Sequence, residues 1–150
     1  MPFRGTFEHS LDVKHRLTIP SAFRKQLSTE VVLVPSPHLR ADAPYALSIW
    51  TPDKFDEFVE FSLAGLNPMS PDAQDLSRML SNEAFETELD SANRVMIPSY
   101  LLDFASIEKD VAVTGSGNRI EVWNRADHAR NLEQMRTRLP ETVARIVHTA

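Results

Sequence analysis

The side chains best placed to do chemistry come as two copies of one motif, Asp12-Val13-Lys14-His15-Arg16 and Asp90-Ser91-Ala92-Asn93-Arg94. An aspartate four residues before an arginine, across a tight turn, can hold the guanidinium still while its fork faces a phosphate or a guanine edge. The plainer role for such a pair is structural, since a partly exposed ion pair that fixes a turn is worth no more than about 1 kcal/mol. Both roles are expected at Asp12 and Arg16, where Lys14 adds a second cation and His15 an aromatic, titratable ring. At Asp90 and Arg94 the tip, Ser91-Ala92-Asn93, has no lysine, and the structural role is favoured. Arg24 and Lys25 read equally well as solvated surface or as phosphate contacts.

Two other groupings fail on context. Glu8, His9, Asp12 and His15 are metal-ligand and acid/base types, but strand alternation sends Glu8 and His9 to opposite faces, so the set does not converge. Gly115-Ser116-Gly117 begins like a nucleotide loop, yet position 120 is Ile where a third glycine would stand, and a strand follows in place of a helix. With no nucleophile and base to pair, no catalytic residue, metal, cofactor or small-molecule substrate is expected.

The two motifs sit in an internal repeat. Residues 7–21 align with residues 85–99 at a constant offset of 78, and eight of the fifteen positions are identical. Val31-Val32-Leu33-Val34 answers Val111-Ala112-Val113-Thr114, and Leu47-Ser48-Ile49-Trp50 answers Ile120-Glu121-Val122-Trp123 at an offset of 73, which gives the second copy the shorter loop. Phe7, His9 and Leu11, like Phe85, Thr87 and Leu89, alternate with polar residues in the period-2 pattern of a half-buried strand. A short strand follows at Leu17-Thr18-Ile19 and at Val95-Met96-Ile97, so each pair reads as a hairpin. Its turn needs positive φ at His15 and Asn93, residue types that tolerate it. Pro20 and Pro98 suit the first turn of a short helix, and two more strands complete a β-β-α-β-β unit. Gly115-Ser116-Gly117-Asn118 marks the turn between the last pair.

After each Trp the pattern becomes helical. Thr51 caps a helix with Phe55, Phe58, Val59, Leu63 and Leu66 on one face, which serves as core or as an oligomer interface. Trp50 and Trp123 read as core or interface residues. Asn124 caps a second helix that points Leu132, Met135 and Leu139 inward, and Pro140 is expected to break it before a short terminal helix carrying Val143, Ile146 and Val147. A linking helix is expected from Asp72 to about Ser81.

The chain has 150 residues, 42% hydrophobic and 25% charged, which is ordinary for a globular protein. No apolar run approaches the roughly 20 residues of a membrane span, and the start does not read as a secretory signal. The absence of cysteine excludes disulfides and thiol chemistry and fits a reducing, cytoplasmic setting. The net charge of −5 excludes a uniformly basic protein, but the charge is divided along the chain. Residues 1–27 carry five basic against two acidic side chains, a net +3, and residues 52–90 carry two against ten, a net −8. One basic face and an acidic body turned away from it are therefore expected. A unit of about 50 residues is too small for a full core of its own, so the two copies should pair.

The two Asp-x-x-x-Arg motifs, each running on into Ile-Pro, together with the Phe3-Arg4-Gly5 start, resemble the MraZ family of bacterial transcriptional regulators. The resemblance runs from Phe3 to about Trp123. It departs in having His15 and Asn93 where the family usually has Gly before each motif Arg, and in the inserted Pro2. The resemblance implies an α+β, mainly β fold: two tandem swapped-hairpin, AbrB-like β-barrel halves forming a pseudo-dimer, with flanking helices. The expected divisions are a first repeat with its following helix at 3–66, a linker helix at 67–82, a second repeat with its helix at 83–139 and a C-terminal tail or helix at 140–150. The implied function is sequence-specific binding of double-stranded DNA at repeated boxes upstream of the chain's own operon, in the division and cell wall gene cluster, with repression of that operon. Association with the nucleoid and a ring-shaped homo-oligomer of the octamer class are implied as well. The family motif carries DNA contact to Asp12 and Arg16 and, second, to Asp90 and Arg94, and the candidate set is completed by Arg4, Lys14, His15 and Arg24. The competing expectation is a non-catalytic, antitoxin-like interaction or scaffold module that uses the acidic 52–90 stretch as its contact face.

Overall fold

A computed structural model describes residues 2–36 and 43–149 of the chain. The longer loop expected in the first repeat falls on 37–42, outside the described residues. The first repeat folds as β1 (Thr6–Ser10), β2 (Arg16–Thr18), α1 (Ser21–Arg24), β3 (Glu30–Ser36) and β4 (Ala46–Trp50). The second matches it with β5 (Phe85–Glu88), β6 (Arg94–Met96), α4 (Ser99–Phe104), β7 (Asp110–Gly115) and β8 (Ile120–Asn124). Helices α2 (Pro52–Leu63) and α3 (Pro71–Asn82) join the repeats, and α5 (Arg125–Thr149) follows the second.

Strand pairing departs from the hairpins expected. Each tight turn closes on itself, with Asp12 accepting from the His15 N–H at 3.0 Å, but the strands on either side then part company. β1 pairs with β7 of the second repeat, and β5 pairs with β3 of the first, giving a six-stranded antiparallel sheet in the order β1-β7-β8-β4-β3-β5. β2 and β6 pair with each other as a separate two-stranded ribbon. The pattern is two-fold in sequence terms: Leu17 lies opposite Val95 and Ser48 opposite Glu121, each facing its own counterpart in the other repeat. The sheet is open, not the closed barrel expected. β1 and β5 end it at opposite edges, while the ribbon lies over one face and closes neither.

Burial explains the arrangement. The ribbon residues Leu17, Ile19, Val95 and Ile97 share one core with Val31, Leu33, Val111, Val113, Ile120 and Val122 of the sheet, so neither repeat has to enclose a core alone. The alternate residues Val32, Val34 and Trp50 point to the other face and meet Phe55 of α2 and Leu80 of α3. Strands covered on both faces become almost continuously apolar, as β3 and β4 are, whereas the edge strands β1 and β5 keep the alternating pattern. The ribbon and the pair α2–α3 thus occupy opposite faces of the sheet. Helices α2, α3 and α5 start at side-chain caps: Thr51 accepts from Lys54, Ser70 from Ala73 and Asn124 from Asp127 through their backbone N–H groups.

Helix α5 corrects two expectations. It runs unbroken through Pro140, since proline is compatible with helical φ and removes one backbone donor on a helix that is exposed there. The apolar residues expected inward are not covered: Met135 and Leu139 are exposed, as are Val143, Ile146 and Val147 further along. In the same way Leu66, expected on the α2 face, lies beyond the helix end and is exposed.

Candidate nucleic-acid interface

Each Asp-x-x-x-Arg motif folds into the same stapled turn. Asp12 Oδ1 accepts the backbone N–H groups of Lys14 and Arg16, both at 2.9 Å, and its Oδ2 accepts Arg16 Nε at 2.6 Å. Asp90 repeats this with the N–H groups of Ala92 and Arg94 at 2.9 Å and with Arg94 Nε at 2.8 Å. The sharp reversal places His15 at φ 59° and Asn93 at φ 58°, in the left-handed region that the sequence pattern demanded of them. The Arg16 backbone N–H, more than any other group, holds the Asp12 carboxyl below its ordinary range, with the Arg16 side chain and the Lys14 N–H adding to it and desolvation working the other way. Asp90 is held down in the same manner, chiefly by the Arg94 backbone N–H. Both aspartates are therefore charged at neutral pH.

The staple determines what the arginines offer. Binding through Nε fixes the plane of the guanidinium, and among the described residues no hydrogen bond engages Nη1 or Nη2 of Arg16 or Arg94. Those two nitrogens form the fork that suits a phosphate or a guanine edge.

Pairing then brings the two motifs together. The ribbon register sets Arg16 opposite Met96, Leu17 opposite Val95 and Thr18 opposite Arg94. Each left-handed residue locks its turn onto the other strand, His15 O accepting from Ile97 N at 3.0 Å and Asn93 O from Ile19 N at 2.9 Å. Leu17 and Val95 are fully buried, so alternation puts Arg16, Thr18, Arg94 and Met96 on the outward face. Lys14 stands exposed on the first turn. Sequence reasoning set Arg94 aside as mainly structural and did not single out Thr18 or Met96. The signal was present in the alternation about Leu17 and Val95, but only the pairing of β2 with β6 places all four on one surface.

Arg4 and Arg24 lie outside that ribbon. Arg4 is exposed on the N-terminal segment, which is laid along the Gly115–Gly117 turn: Phe3 N donates to Gly117 O at 2.7 Å and Gly115 N to Gly5 O at 2.8 Å. Arg24 caps the chain before α1 by donating from Nε to Ile19 O at 3.0 Å. Nearby, burial, helped by the charges of Arg24 and Arg125, lowers the pKa of His9. Arg125 ties the start of α5 to β1, donating from Nη2 to His9 O at 2.6 Å and facing Glu8 at 3.9 Å. Glu8 is exposed and His9 half-buried, on opposite sides of β1 as their alternation required.

The charge division along the chain becomes a division in space. Asp53, Asp56, Glu57, Glu60, Asp72 and Asp75 belong to α2 and α3, on the face of the sheet opposite the ribbon that carries Arg16 and Arg94.

Comparison with known proteins agrees with the repeat. A family model described as "MraZ protein, putative antitoxin-like" matches the chain twice, over residues 2–78 and 79–148. Among the similar proteins, "Transcriptional regulator MraZ" of Mycoplasma capricolum is 33% identical over 131 residues, covering 87% of this chain and 94% of that one. The protein of the same name from Ureaplasma urealyticum is 35% identical over 81% of this chain and 80% of its own. That of Oenococcus oeni is 32% identical over 93% of this chain and 97% of its own.

Proposed function

The chain belongs to the MraZ family, and on that premise we propose that it is a sequence-specific, double-stranded DNA-binding regulator of transcription that uses the outward face of the β2–β6 ribbon. One observation carries the proposal: two arginines 78 residues apart reach one exposed face, each oriented by an aspartate through Nε with its terminal fork left over. A two-stranded ribbon is of a size that the major groove of B-DNA admits, and Arg pairs bidentately with guanine there. Asp12 and Asp90 act as positioning residues, Arg16 and Arg94 as contacts, and Lys14, His15, Arg4 and Arg24 as flanking phosphate contacts. The acidic helices α2 and α3, turned away from the ribbon, are kept from the phosphates.

The fuller reading follows the family. The chain binds repeated boxes upstream of its own operon in the division and cell wall gene cluster and represses it, on the nucleoid in the cytoplasm, as swapped-hairpin repeats at 3–66 and 83–139. Several copies form a ring, so that weak contacts from each ribbon add over tandem boxes. The exposed row Met135, Leu139, Val143 and Ile146 on α5 supports assembly, because a second copy would cover it. Among the described residues no helix is long and apolar enough to cross a membrane. The reading assigns no catalysis.

The test is binding of the full chain to DNA from the region upstream of its own gene, across a salt series, for the native chain and for Arg16→Ala. Affinity should fall steeply with salt, because phosphate contacts release counterions, and Arg16→Ala should weaken binding by at least tenfold. Salt-independent retention, or an unchanged mutant, would overturn the proposal. The acidic α2–α3 face supports the second reading, a protein-interaction module; it predicts a partner bound through that face with no DNA retained.

A further inference from the structure

The ribbon face is symmetric in its arginines and asymmetric between them. At the position equivalent to Thr18 the second repeat carries Met96, which points outward and is 49% exposed although it is large and apolar. Its neighbour across the ribbon is Arg16, directly opposite, and Leu17 and Val95 fill the buried side beneath. Met96 is not among the residues of the shared core, and it stands opposite the arginine that carries one of the two forks. Directly opposed side chains on one face of an antiparallel pair lie about 5 Å apart at Cβ, so Arg16 and Met96 leave the ribbon side by side.

We propose that Met96 is a specificity-determining residue that reads the 5-methyl group of a thymine adjacent to the base or phosphate held by Arg16. This rests on the DNA-binding reading of the ribbon. The thymine methyl is the one apolar feature on the major-groove edge of the bases, and an apolar side chain is what recognises it. A thioether is suited to the task because it is flexible and polarizable. Thr18, the counterpart beside Arg94, offers a hydroxyl that accepts several bases and a single methyl on a side chain much shorter than the thioether. The ribbon accordingly has a direction: its Arg16–Met96 end discriminates for a methyl group, and its Arg94–Thr18 end does so far less. Each subunit then reads a box without internal two-fold symmetry, although its backbone is nearly two-fold.

The full-length chain is used to select a duplex from a randomised pool, and each thymine of that duplex is replaced in turn by deoxyuridine, which removes the methyl and nothing else. Affinities are measured for the native chain, Met96→Leu, Met96→Ser and Thr18→Met. One replacement should weaken the native chain about three- to fivefold, the worth of one buried methyl group. Met96→Leu should keep that sensitivity, Met96→Ser, which has no methyl to offer, should lose it, and Thr18→Met should acquire a second sensitive position of full strength. Because Met96 is exposed and a small hydroxyl-bearing residue, Thr18, already occupies its counterpart, the variants fold. Equal responses of the native chain and Met96→Ser at every thymine would overturn the inference while leaving the ribbon reading intact, provided Arg16→Ala still weakens binding at least tenfold. Failure to select any duplex would remove both.

Discussion

Leu17 faces Val95, its own counterpart in the other repeat, at the centre of the β2–β6 ribbon, and both side chains are fully buried. That contact makes one surface of two motifs, because it joins the strands that carry Arg16 and Arg94.

Leu17→Ala should therefore weaken both the fold and the ribbon face. Deleting a fully buried leucine leaves a cavity and costs about 3 kcal/mol, read as a lowered denaturation midpoint. In conditions where the variant remains folded, DNA affinity should also fall, though less than for Arg16→Ala, since the arginines keep their staples while the ribbon loosens. A variant with native stability would mean that the ribbon does not pack on the sheet as described.

The stapled turns should be sensitive to acid. The Asp12 and Asp90 carboxyls are held below their unfolded values, chiefly by the backbone N–H of Arg16 and of Arg94. The folded state thus binds fewer protons than the unfolded state in this window, so the stabilisation is complete above the unfolded carboxylate value of about 3.9 and is lost as pH falls through the folded one. Asp12→Asn and Asp90→Asn should each flatten the acid limb of a stability profile, and by similar amounts because the two environments match. Carboxyl-carbon NMR titration checks the direction of the shift for each residue separately.

Two glycines of one turn should respond differently to alanine. A Cβ at Gly115 would collide with the backbone N of Arg4 and the carbonyl carbon of Phe3, both backbone atoms that cannot step aside cheaply. Gly115→Ala should thus detach the N-terminal segment, costing on the order of 2 kcal/mol and speeding amide exchange at Phe3. A Cβ at Gly117 meets nothing within 4 Å, and only its φ of +85° is unfavourable. Gly117→Ala should cost about 1 kcal/mol and leave the Phe3 amide protected.

The left-handed turn residue should have an optimum other than the residue present. His15 at φ 59° bears a Cβ in a region where it is crowded, so His15→Gly should raise stability by roughly 0.5 to 1 kcal/mol and leave the Asp12 to Arg16 bonds in place. His15→Val, with a branched Cβ, should lower it. Thermal midpoints of the pair decide the matter, and a gain from valine would contradict the turn geometry.

Much of the local structure was legible because its causes lie within a few residues. The alternation of Phe7, His9 and Leu11, the caps at Thr51 and Asn124, and the demand for positive φ at His15 and Asn93 depend on near neighbours, and all are present in the folded chain. The repeat was also legible, since eight identities in fifteen positions do not depend on the fold. Strand partnership was not. A backbone ladder accepts almost any strand with a suitable apolar face, and nothing within residues 6–18 shows that β1 will leave β2 for β7. That choice depends on which arrangement buries Leu17, Ile19, Val95 and Ile97 together, a sum over residues some 80 positions apart. The same sum left the sheet open where a barrel was expected, and Met135 and Leu139 on α5 lie outside that core. The sequence by itself thus determined two turns built on the same aspartate and arginine, whereas only the tertiary structure decided that both arginines would share one face with Met96 and Thr18, because that face exists only once β2 and β6, far apart in the chain, bury their alternate side chains in a common core.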